Sequence, residues 1–381
     1  RSKRDSVFYF SRRRGTVIKQ TEKHKKYMQI ALDLAKKGMH TSMPNPRVGC
    51  IVVHENQIVG QGWHRASGEA HAESIALSEA GNKAQGSTVY STLEPCTHYG
   101  KTPPCVEALI AARVGKVVYA VEDPNPIVSG QSRKILESAE IEVIAGILSQ
   151  ESKDLNIGFH KRMKTGLPYI RTKIAASIDG KTALMNGNSQ WISSIKSRDD
   201  VQLWRARSCA IVTSIDTVIA DDPSLNVRIN DFLDNNQPVR VILDSQLRIK
   251  SHYKILKSPG DMIVYSLKQV HNDPIFEGMI ENIEEHDGHV SLESVFRDLA
   301  KKEINEVMFE CGGILNGALL KQNFIDEIII YLAPCILGDQ ANNMFSLPVI
   351  SVMSDRYNFN LAQVDKTGDN VRIILKKLNL V

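Results

Sequence analysis

The sequence has no long apolar run. The longest, Ile328 to Leu337, spans ten residues and carries Pro334, whereas a membrane-spanning helix takes about 20; a membrane-spanning protein is excluded. Cysteine is scarce: Cys50, Cys96, Cys105, Cys209, Cys311 and Cys335 are the full set in 381 residues, unevenly spaced and with no apolar leader before them. That excludes a disulfide framework and points to a reducing, cytoplasmic setting, where such residues are buried, metal-bound or reactive. Internal repeats, low-complexity segments and a Gly-x-Gly-x-x-Gly dinucleotide fingerprint are also absent. What is present is ordinary for a globular protein, 42% hydrophobic and 24% charged, with enough apolar content to exclude wholesale disorder. At roughly 150 residues per domain, the length predicts two to three domains.

Charge is unevenly spread. The net is +4, yet residues 1–26 alone carry +8 and the remaining 355 carry −4. A mildly acidic body follows a basic tail, so the total does not mark a nucleic-acid binder. The tail begins at Arg1, is Arg-rich and acid-poor, and reads either as an organelle transit peptide or as a plain extension packed through Val7, Phe8, Tyr9 and Phe10; the extension is the expectation for residues 1–23.

Beyond the tail the pattern becomes regular. Tyr27, Ile30, Ala31 and Leu34 mark one face of a helix that stops near Gly38. Val48–Val53 and Gln57–Gln61 read as strands hinged at Asn56. Residues 71–80 read as a helix, 87–92 as a strand, Pro104 to Arg113 as a helix, 116–121 as a strand, 130–139 as a helix and 141–145 as a strand. Such alternation predicts an α/β layered sheet. A second run begins near Pro168, with strands at 169–176, 209–213, 239–243, 262–265, 307–310, 327–332 and 371–375 and helices at 197–208, 292–302 and 315–323. The charged, partly helical stretch 151–167 is expected to link a first domain, 24–150, to a second, 168–381.

The first chemical signal is His71-Ala-Glu73, followed by Pro95-Cys96 and then Cys105. One imidazole and two thiolates leave a fourth position on zinc for water, the arrangement of a catalytic site. Zinc brings the pKa of water to about 7, and Glu73, two residues from His71 at a helix start, suits the proton transfer. His-x-Glu…Pro-Cys…Cys is the zinc-deaminase signature. His-Ala-Glu alone reads equally as a polar helix start; the ordered combination is what makes the signal specific. Eight residues separate Cys96 from Cys105, so His98 competes as a nearer ligand. Cys105 is preferred because it follows Pro103-Pro104 at a helix N-terminus, where a thiolate is stabilised.

Pro44-Asn-Pro-Arg-Val-Gly49, Gly62-Trp-His64, His71-Ala-Glu73, Thr92-Leu-Glu-Pro-Cys-Thr-His98, Gly100-Lys-Thr-Pro-Pro-Cys105 and Glu122-Asp-Pro-Asn-Pro126 together closely resemble the deaminase half of the bifunctional riboflavin-biosynthesis deaminase–reductase family. The long cysteine spacing is that family's own. The resemblance implies a cytidine-deaminase-like three-layer α/β/α domain with one Zn2+, and a pyrimidine substrate carrying a ribosylamino 5′-phosphate. It also implies that Asn45, His64, Lys101, Asp123 and Asn125 line the pocket; for each alone, a role in a turn is the competing reading.

The second half says less by itself. Glu310-Cys-Gly-Gly-Ile-Leu-Asn-Gly317 joins a strand to a helix, which suits either phosphate binding at a helix N-terminus or a helix–strand packing turn. Ala176–Gly180 and Ala220–Pro223 are polar clusters that suit a ligand edge or tight turns. Lys173–Lys181, Gly187–Ile192, Asp200–Arg205, Thr217–Pro223, Asn226–Arg228, Leu243–Ser245 and Glu310–Gly317 look like the reductase half of the same family, whose fold is similar to dihydrofolate reductase. The resemblance, which covers about residues 24–378, implies NADPH-dependent reduction of the opened ribose. Carried over, Ala175, Trp191, Thr217, Asp221, Ser245, Gly312, Gly313, Ile314, Leu315, Asn316, Gly317 and Ala318 hold NADPH. Lys173, Ser189, Arg205, Leu225, Arg228 and Glu310 hold the sugar phosphate, with Lys173 polarising the reacting carbon. Taken bare, Arg205 reads as a solvated helix charge, and Trp191 reads as easily as core as a cofactor wall.

The expectation is therefore an enzyme with two activities, zinc-dependent hydrolytic deamination of the pyrimidine and NADPH-dependent reduction. It acts on a small phosphorylated pyrimidine, as a cytoplasmic homo-oligomer (dimer or tetramer), with neither nucleic acid nor membrane as partner. A base deaminase with a nucleic-acid-binding tail is disfavoured by the acidic body, which shows no basic stripe with interleaved aromatics. A two-domain chain with one live site is the remaining alternative.

Overall fold

A computed structural model describes residues 20–99, 103–126, 128–230, 232, 236–269 and 278–378. The chain divides into two units between Thr165 and Gly166.

In the first unit, helix α1 runs through residues 20–35. Strands β1 (Gly49–His54) and β2 (Gln57–Trp63) form an antiparallel hairpin. Its turn places Glu55 and Asn56 at φ 48 and 67, left-handed values that asparagine tolerates. Then follow α2 (Ala72–Ala80), β3 (Thr88–Ser91), α3 (Cys105–Ala111), β4 (Lys116–Tyr119), α4 (Gln131–Ser138) and β5 (Glu142–Ala145). The sheet order is β2-β1-β3-β4-β5, with β3, β4 and β5 parallel.

Strand periodicity divides the apolar residues between two faces. Cys50, Val52, Val89, Val117 and Val143 pack with α2, α3 and α4 in one core. Ile51, Val53, Tyr90 and Val118 pack with α1 in the other. The result is the expected α/β/α sandwich. Helix α2 lies close on β2 because Gly60 and Gly62 offer no side chain: a Cβ there would stand 2.1 Å from the Ala76 carbonyl and 2.5 Å from that of Ala72.

The stretch expected as a linker folds instead as α5 (Ser149–Leu155) and α6 (Ile157–Thr165). The physical reason is non-local. Asn156 accepts from the Arg47 backbone N–H (2.8 Å) and donates to the Arg47 carbonyl (2.9 Å), while the Arg47 guanidinium donates to the Leu155 carbonyl (2.9 Å). Leu155 enters the α1 core. These contacts tie α5 and its junction with α6 to the first unit.

The second unit begins with β6 (Tyr169–Ser177), β7 (Lys181–Ala183), α7 (Ile195–Arg207), β8 (Ala210–Ser214), α8 (Ile215–Asp221), β9 (Val239–Leu243), α9 (Lys254–Lys257) and β10 (Met262–Ser266). It continues with β11 (Ile280–Asn282), β12 (Glu285–His286), β13 (His289–Val290), α10 (Leu292–Lys301), β14 (Glu306–Phe309), α11 (Gly313–Lys321) and β15 (Glu327–Ala333). Last come β16 (Asn342–Asn343), β17 (Phe359–Thr367) and β18 (Asn370–Lys377). The nine-stranded sheet has the order β11-β10-β9-β8-β14-β6-β15-β18-β17, parallel except at β18 and β17.

Two of the elements that the sequence reading lacks have a plain physical cause. The polar cluster at Ala220–Pro223 is the end of α8, capped by Ser214, whose hydroxyl accepts from the Thr217 N–H; Ile215 and Val218 are its buried face. Strand β17 is an edge whose residues are mostly exposed, so it lacks the one-sided apolar alternation that marks a half-buried strand.

Candidate active sites

Helix α2 and strand β3 build the first site. His71 is the N-cap residue of α2, and Glu73 lies in its first turn. Cys96 follows β3 in a loop, and Cys105 is the first residue of α3, with its N–H donated to the Cys96 sulfur at 3.2 Å. His71 Nδ1 is 3.2 Å from Cys105 Sγ and 3.4 Å from Cys96 Sγ. Ligand atoms around a tetrahedral zinc stand roughly 3.5 Å apart, so the donor set fits the ion in both chemistry and spacing. His98 is exposed and is not one of the three clustered donors. The hydrogen bond from the Cys105 thiol holds Cys96 far below the ordinary thiol range, at about 4, the thiolate form that binds metal.

Glu73 is 3% exposed. One carboxyl oxygen accepts from the Ser91 hydroxyl at 2.8 Å, and the other lies 3.5 Å from Cys105 Sγ. Burial raises its pKa, the direction that suits a general acid–base. His64 donates from Nδ1 to the Ala70 carbonyl (3.3 Å), leaving Nε2 to accept from the Asn45 amide (3.0 Å). Its ring meets that of His71 edge-on, centroids 5.5 Å apart. Burial lowers its pKa, the direction that disfavours the charged ring. Asp123 is also buried, and burial pushes its carboxyl up to about 6; it accepts from the Asn125 N–H at 2.8 Å, an Asx turn. Lys101 lies outside the described residues.

The second site gathers at the C-terminal ends of parallel strands, where open α/β sheets bind ligands. Register places Thr172 of β6 beside Phe309 of β14, so Lys173 and Glu310 are neighbours, 3.9 Å apart. Arg205, from the last turn of α7, grips Glu310 through two bonds of 2.6 and 3.0 Å and donates to the Asn226 carbonyl at 3.0 Å. It is a buried charge, not a solvated one. Arg228 donates to the Asn226 side chain at 3.0 Å. Burial pushes the Glu310 carboxyl up, but Arg205 and Lys173 outweigh it and bring the carboxyl down to about 2. Lys173 is itself lowered by burial. Leu225 is buried at φ 49 in the loop that carries Arg228.

The NADPH set divides. Gly312 is the N-cap of α11 at φ −76, and a Cβ there would meet nothing within 4 Å. The first-turn N–H groups of Gly313, Ile314 and Leu315 have no intrahelical acceptor, and Ile314 is exposed, so this end of α11 fits a phosphate. The far side serves packing. A Cβ at Gly313 would stand 2.3 Å from the Asn343 carbonyl, and one at Gly317 would stand 2.0 Å from that of Ser346. Asn316 is fully buried; its side chain takes the Thr172 hydroxyl at 2.7 Å and donates to the Cys311 and Met344 carbonyls. As a cofactor contact, Asn316 is left with its backbone. The packing reading of the Glu310–Gly317 loop is seen on one face of α11, and the open N-terminus leaves room for the phosphate reading on the other.

Ala175 lies near the C-terminal end of β6. Thr217 is in the first turn of α8, and Asp221 is its last residue. Ser245 follows β9, and its hydroxyl accepts from the Val290 N–H at 3.0 Å. Ser189 and Trp191 lie in the loop before α7, and Trp191 is 72% exposed. It is not core: its ring carries the Arg198 guanidinium at 4.4 Å.

Comparison with known proteins decides what these sites belong to. Residues 21–121 match the cytidine and deoxycytidylate deaminase zinc-binding region, and residues 168–373 match the RibD C-terminal domain. The riboflavin biosynthesis protein RibD of Escherichia coli K12 is 43% identical over 355 residues, which cover 91% of this chain and 97% of that protein. The chain belongs to the RibD family. It is a bifunctional riboflavin-biosynthesis enzyme, a deaminase fused to a reductase, and its cofactors are zinc and NADPH. Among solved structures, Acinetobacter baumannii RibD matches with a TM-score of 0.88 and 42% identity, over 94% of this chain and 100% of that one. A diaminohydroxyphosphoribosylaminopyrimidine deaminase/5-amino-6-(5-phosphoribosylamino)uracil reductase from Thermotoga maritima matches with 0.85 and 29%, over 94% and 100%. Among the described residues, no helix is long and apolar enough to cross a membrane.

Sequence reasoning missed several supporting residues. Ser91, which orients Glu73, and Asn226, which links two arginines, were not singled out because their partners are remote in the chain. Glu94 sits inside a quoted motif; an acid within an otherwise buried run was the available signal.

Proposed function

We propose that the first unit hydrolyses the amino group of 2,5-diamino-6-(5-phosphoribosylamino)pyrimidin-4-one to give 5-amino-6-(5-phosphoribosylamino)uracil. The second unit then reduces the ribosyl group of that product to ribityl. The observation that carries this reading is the buried Glu73 carboxyl set between the Ser91 hydroxyl and the His71, Cys96 and Cys105 donor atoms. Bound zinc supplies Lewis acidity, which makes a water nucleophilic at neutral pH. Glu73 takes the proton of that water and returns it to the leaving nitrogen. Asn45, held by the hydrogen bond that its amide donates to His64 Nε2, reads an edge of the pyrimidine. Asp123 and Asn125 complete the described part of the pocket, and Lys101 is assigned to the substrate phosphate.

In the second unit, three cations and one carboxylate, Lys173, Arg205, Arg228 and Glu310, leave a local charge of about +2. That suits a phosphate monoester carrying about −1.5 to −2. Arg205 has committed its fork to Glu310, so Arg228 and Lys173 face the ligand. NADPH supplies the hydride. The first turn of α11 receives its phosphates, Ala175, Thr217, Asp221 and Ser245 border it, and Lys173 donates to the atom that gains negative character. Exposed Leu361 and Val364 on edge strand β17 support a homo-oligomer, since apolar residues on an open edge favour pairing. Six free cysteines support a cytoplasmic setting.

The test is Glu73→Gln assayed in both halves. Ammonia release falls by at least about 10²-fold, the scale of a lost general acid–base. NADPH oxidation on the deaminated intermediate stays near wild type. Persistent deamination overturns the assignment.

A further inference from the structure

Glu94 is 2% exposed and has no role in the chemistry above. Its backbone N–H pairs with the Val121 carbonyl at 2.9 Å, which continues the sheet beyond β3 and β4. Its carboxylate has four donors. One oxygen accepts from the Asp123 N–H (3.1 Å) and the Gly130 N–H (3.0 Å). The other accepts from the Ser132 N–H (3.1 Å) and the Ser132 hydroxyl (2.8 Å). All four lie 29 to 38 residues along the chain, on the segment that carries the Asp123–Asn125 turn. Two residues after Glu94 in sequence comes Cys96, a metal donor.

A buried carboxylate is costly unless fully hydrogen-bonded. Here two donors, the Asp123 and Gly130 N–H groups, come from the loop before α4, and two come from Ser132 in the first turn of α4. They anchor the turn and the start of the helix to the strand extension that leads into Cys96, a fixed support beside the metal donors.

We propose that Glu94 is a positioning residue for deamination: its carboxylate fastens the Asp123–Ser132 segment to the Cys96 strand and so sets the substrate-contacting turn against the metal. This rests on the reading that Asp123 and Asn125 contact the pyrimidine substrate.

The experiment uses the full-length zinc-loaded protein with Glu94→Gln. Glutamine keeps the shape but turns one oxygen into an NH2 group, which faces N–H donors and cannot accept from them. KM for the pyrimidine rises on the order of tenfold while kcat changes less than about threefold, the signature of lost ground-state binding. Zinc stoichiometry and NADPH oxidation on the deaminated intermediate stay at wild-type values. Amide exchange at Asp123, Gly130 and Ser132 speeds up at least about tenfold, as for a loop that opens locally. Zinc loss with a matching fall in kcat overturns the proposal in favour of a general structural role, and so does unchanged exchange at those amides. Asn125→Ala reads the pocket separately. Raised KM there with wild-type KM in Glu94→Gln overturns the positioning role alone; wild-type KM in Asn125→Ala overturns the pocket reading and the positioning role with it. If Glu94→Gln does not fold, Ser132→Ala removes one hydroxyl donor and leaves the carboxylate in place. KM then rises about threefold, roughly one hydrogen bond's worth, and an unchanged KM overturns the proposal.

Discussion

Two glycines five residues apart, Gly312 capping α11 and Gly317 inside it, have opposite expected sensitivities. Gly317→Ala places a methyl 2.0 Å from the Ser346 carbonyl oxygen, where ordinary contact begins at 3.4 Å. Backbone, not a flexible side chain, must retreat by about 1.4 Å. Overpacking of this kind costs typically 1–3 kcal/mol, and a rigid neighbour puts it at the upper end. Alanine returns up to about 1 kcal/mol of helix propensity, so the net loss is about 2 kcal/mol. For a unit of this size, that lowers the melting transition by about 4–8 °C. Gly312→Ala meets nothing within 4 Å and keeps an ordinary φ of −76, so its melting temperature stays within about 1 °C. Its methyl nevertheless stands at the α11 N-terminus, where the phosphates of NADPH are proposed to sit, and NADPH affinity falls. Thermal scans of the full-length protein and NADPH titration by fluorescence read both. A wild-type melting temperature in Gly317→Ala refutes the packing argument, and a wild-type NADPH affinity in Gly312→Ala refutes the phosphate argument.

Other outcomes follow from the same geometry. Cys105→Ser is expected to lower zinc content from about one per chain toward zero, because two ligands do not make a stable site; metal analysis at wild-type content assigns the third ligand elsewhere. Glu310→Gln leaves Arg205 and Lys173 without their buried counter-charge and costs about 3–5 kcal/mol, read as a lowered urea midpoint; a shift below about 1 kcal/mol contradicts the ion-pair reading. Burial, reinforced by Lys164 and Lys153, brings His160 down from 6.5 to about 4. The folded state holds it neutral and the unfolded state protonates it first. Its contribution is therefore complete above pH 6.5 and is lost as pH falls through 4, amounting to at most about 3 kcal/mol. Urea melts at pH 7 and 4.5 check this, and His160→Leu should show a flatter acid limb than wild type.

Legibility in the sequence tracked how local each feature is. The His71–Glu73 pair and the Pro95-Cys96 step declare themselves because neighbours in sequence share one helix start or one loop, and the sheet of the first unit follows from alternation in β1, β3 and β4. Arg171 and Lys173 look alike in sequence, two apart on one face of β6. Yet Arg171 is locked inside by Glu327 (2.6 Å) and Glu306 (3.3 Å), while Lys173 stands beside Glu310, where the sugar phosphate is proposed to sit. Only partners more than a hundred residues away separate a structural charge from a functional one. The same holds for Arg205, whose burial depends on Glu310, and for the 151–167 stretch, whose place is fixed by Arg47. Asn316 is expected at the cofactor from its place in the loop, but its side chain accepts from the Thr172 hydroxyl, 144 residues away.

Strand β3 is four residues long, and each of its last three has a separate task. Val89 packs toward α2, Tyr90 toward α1, and Ser91 orients Glu73. A slip of one residue in a strand sends each side chain to the opposite face. Such a slip here would exchange the two cores and withdraw the hydroxyl from the catalytic carboxyl in the same step. The phase of this strand is thus the alignment standard for the proposed proton shuttle. Errors of pairing during folding cannot give a well-packed sandwich with a misdirected Glu73, because packing and aim fail together.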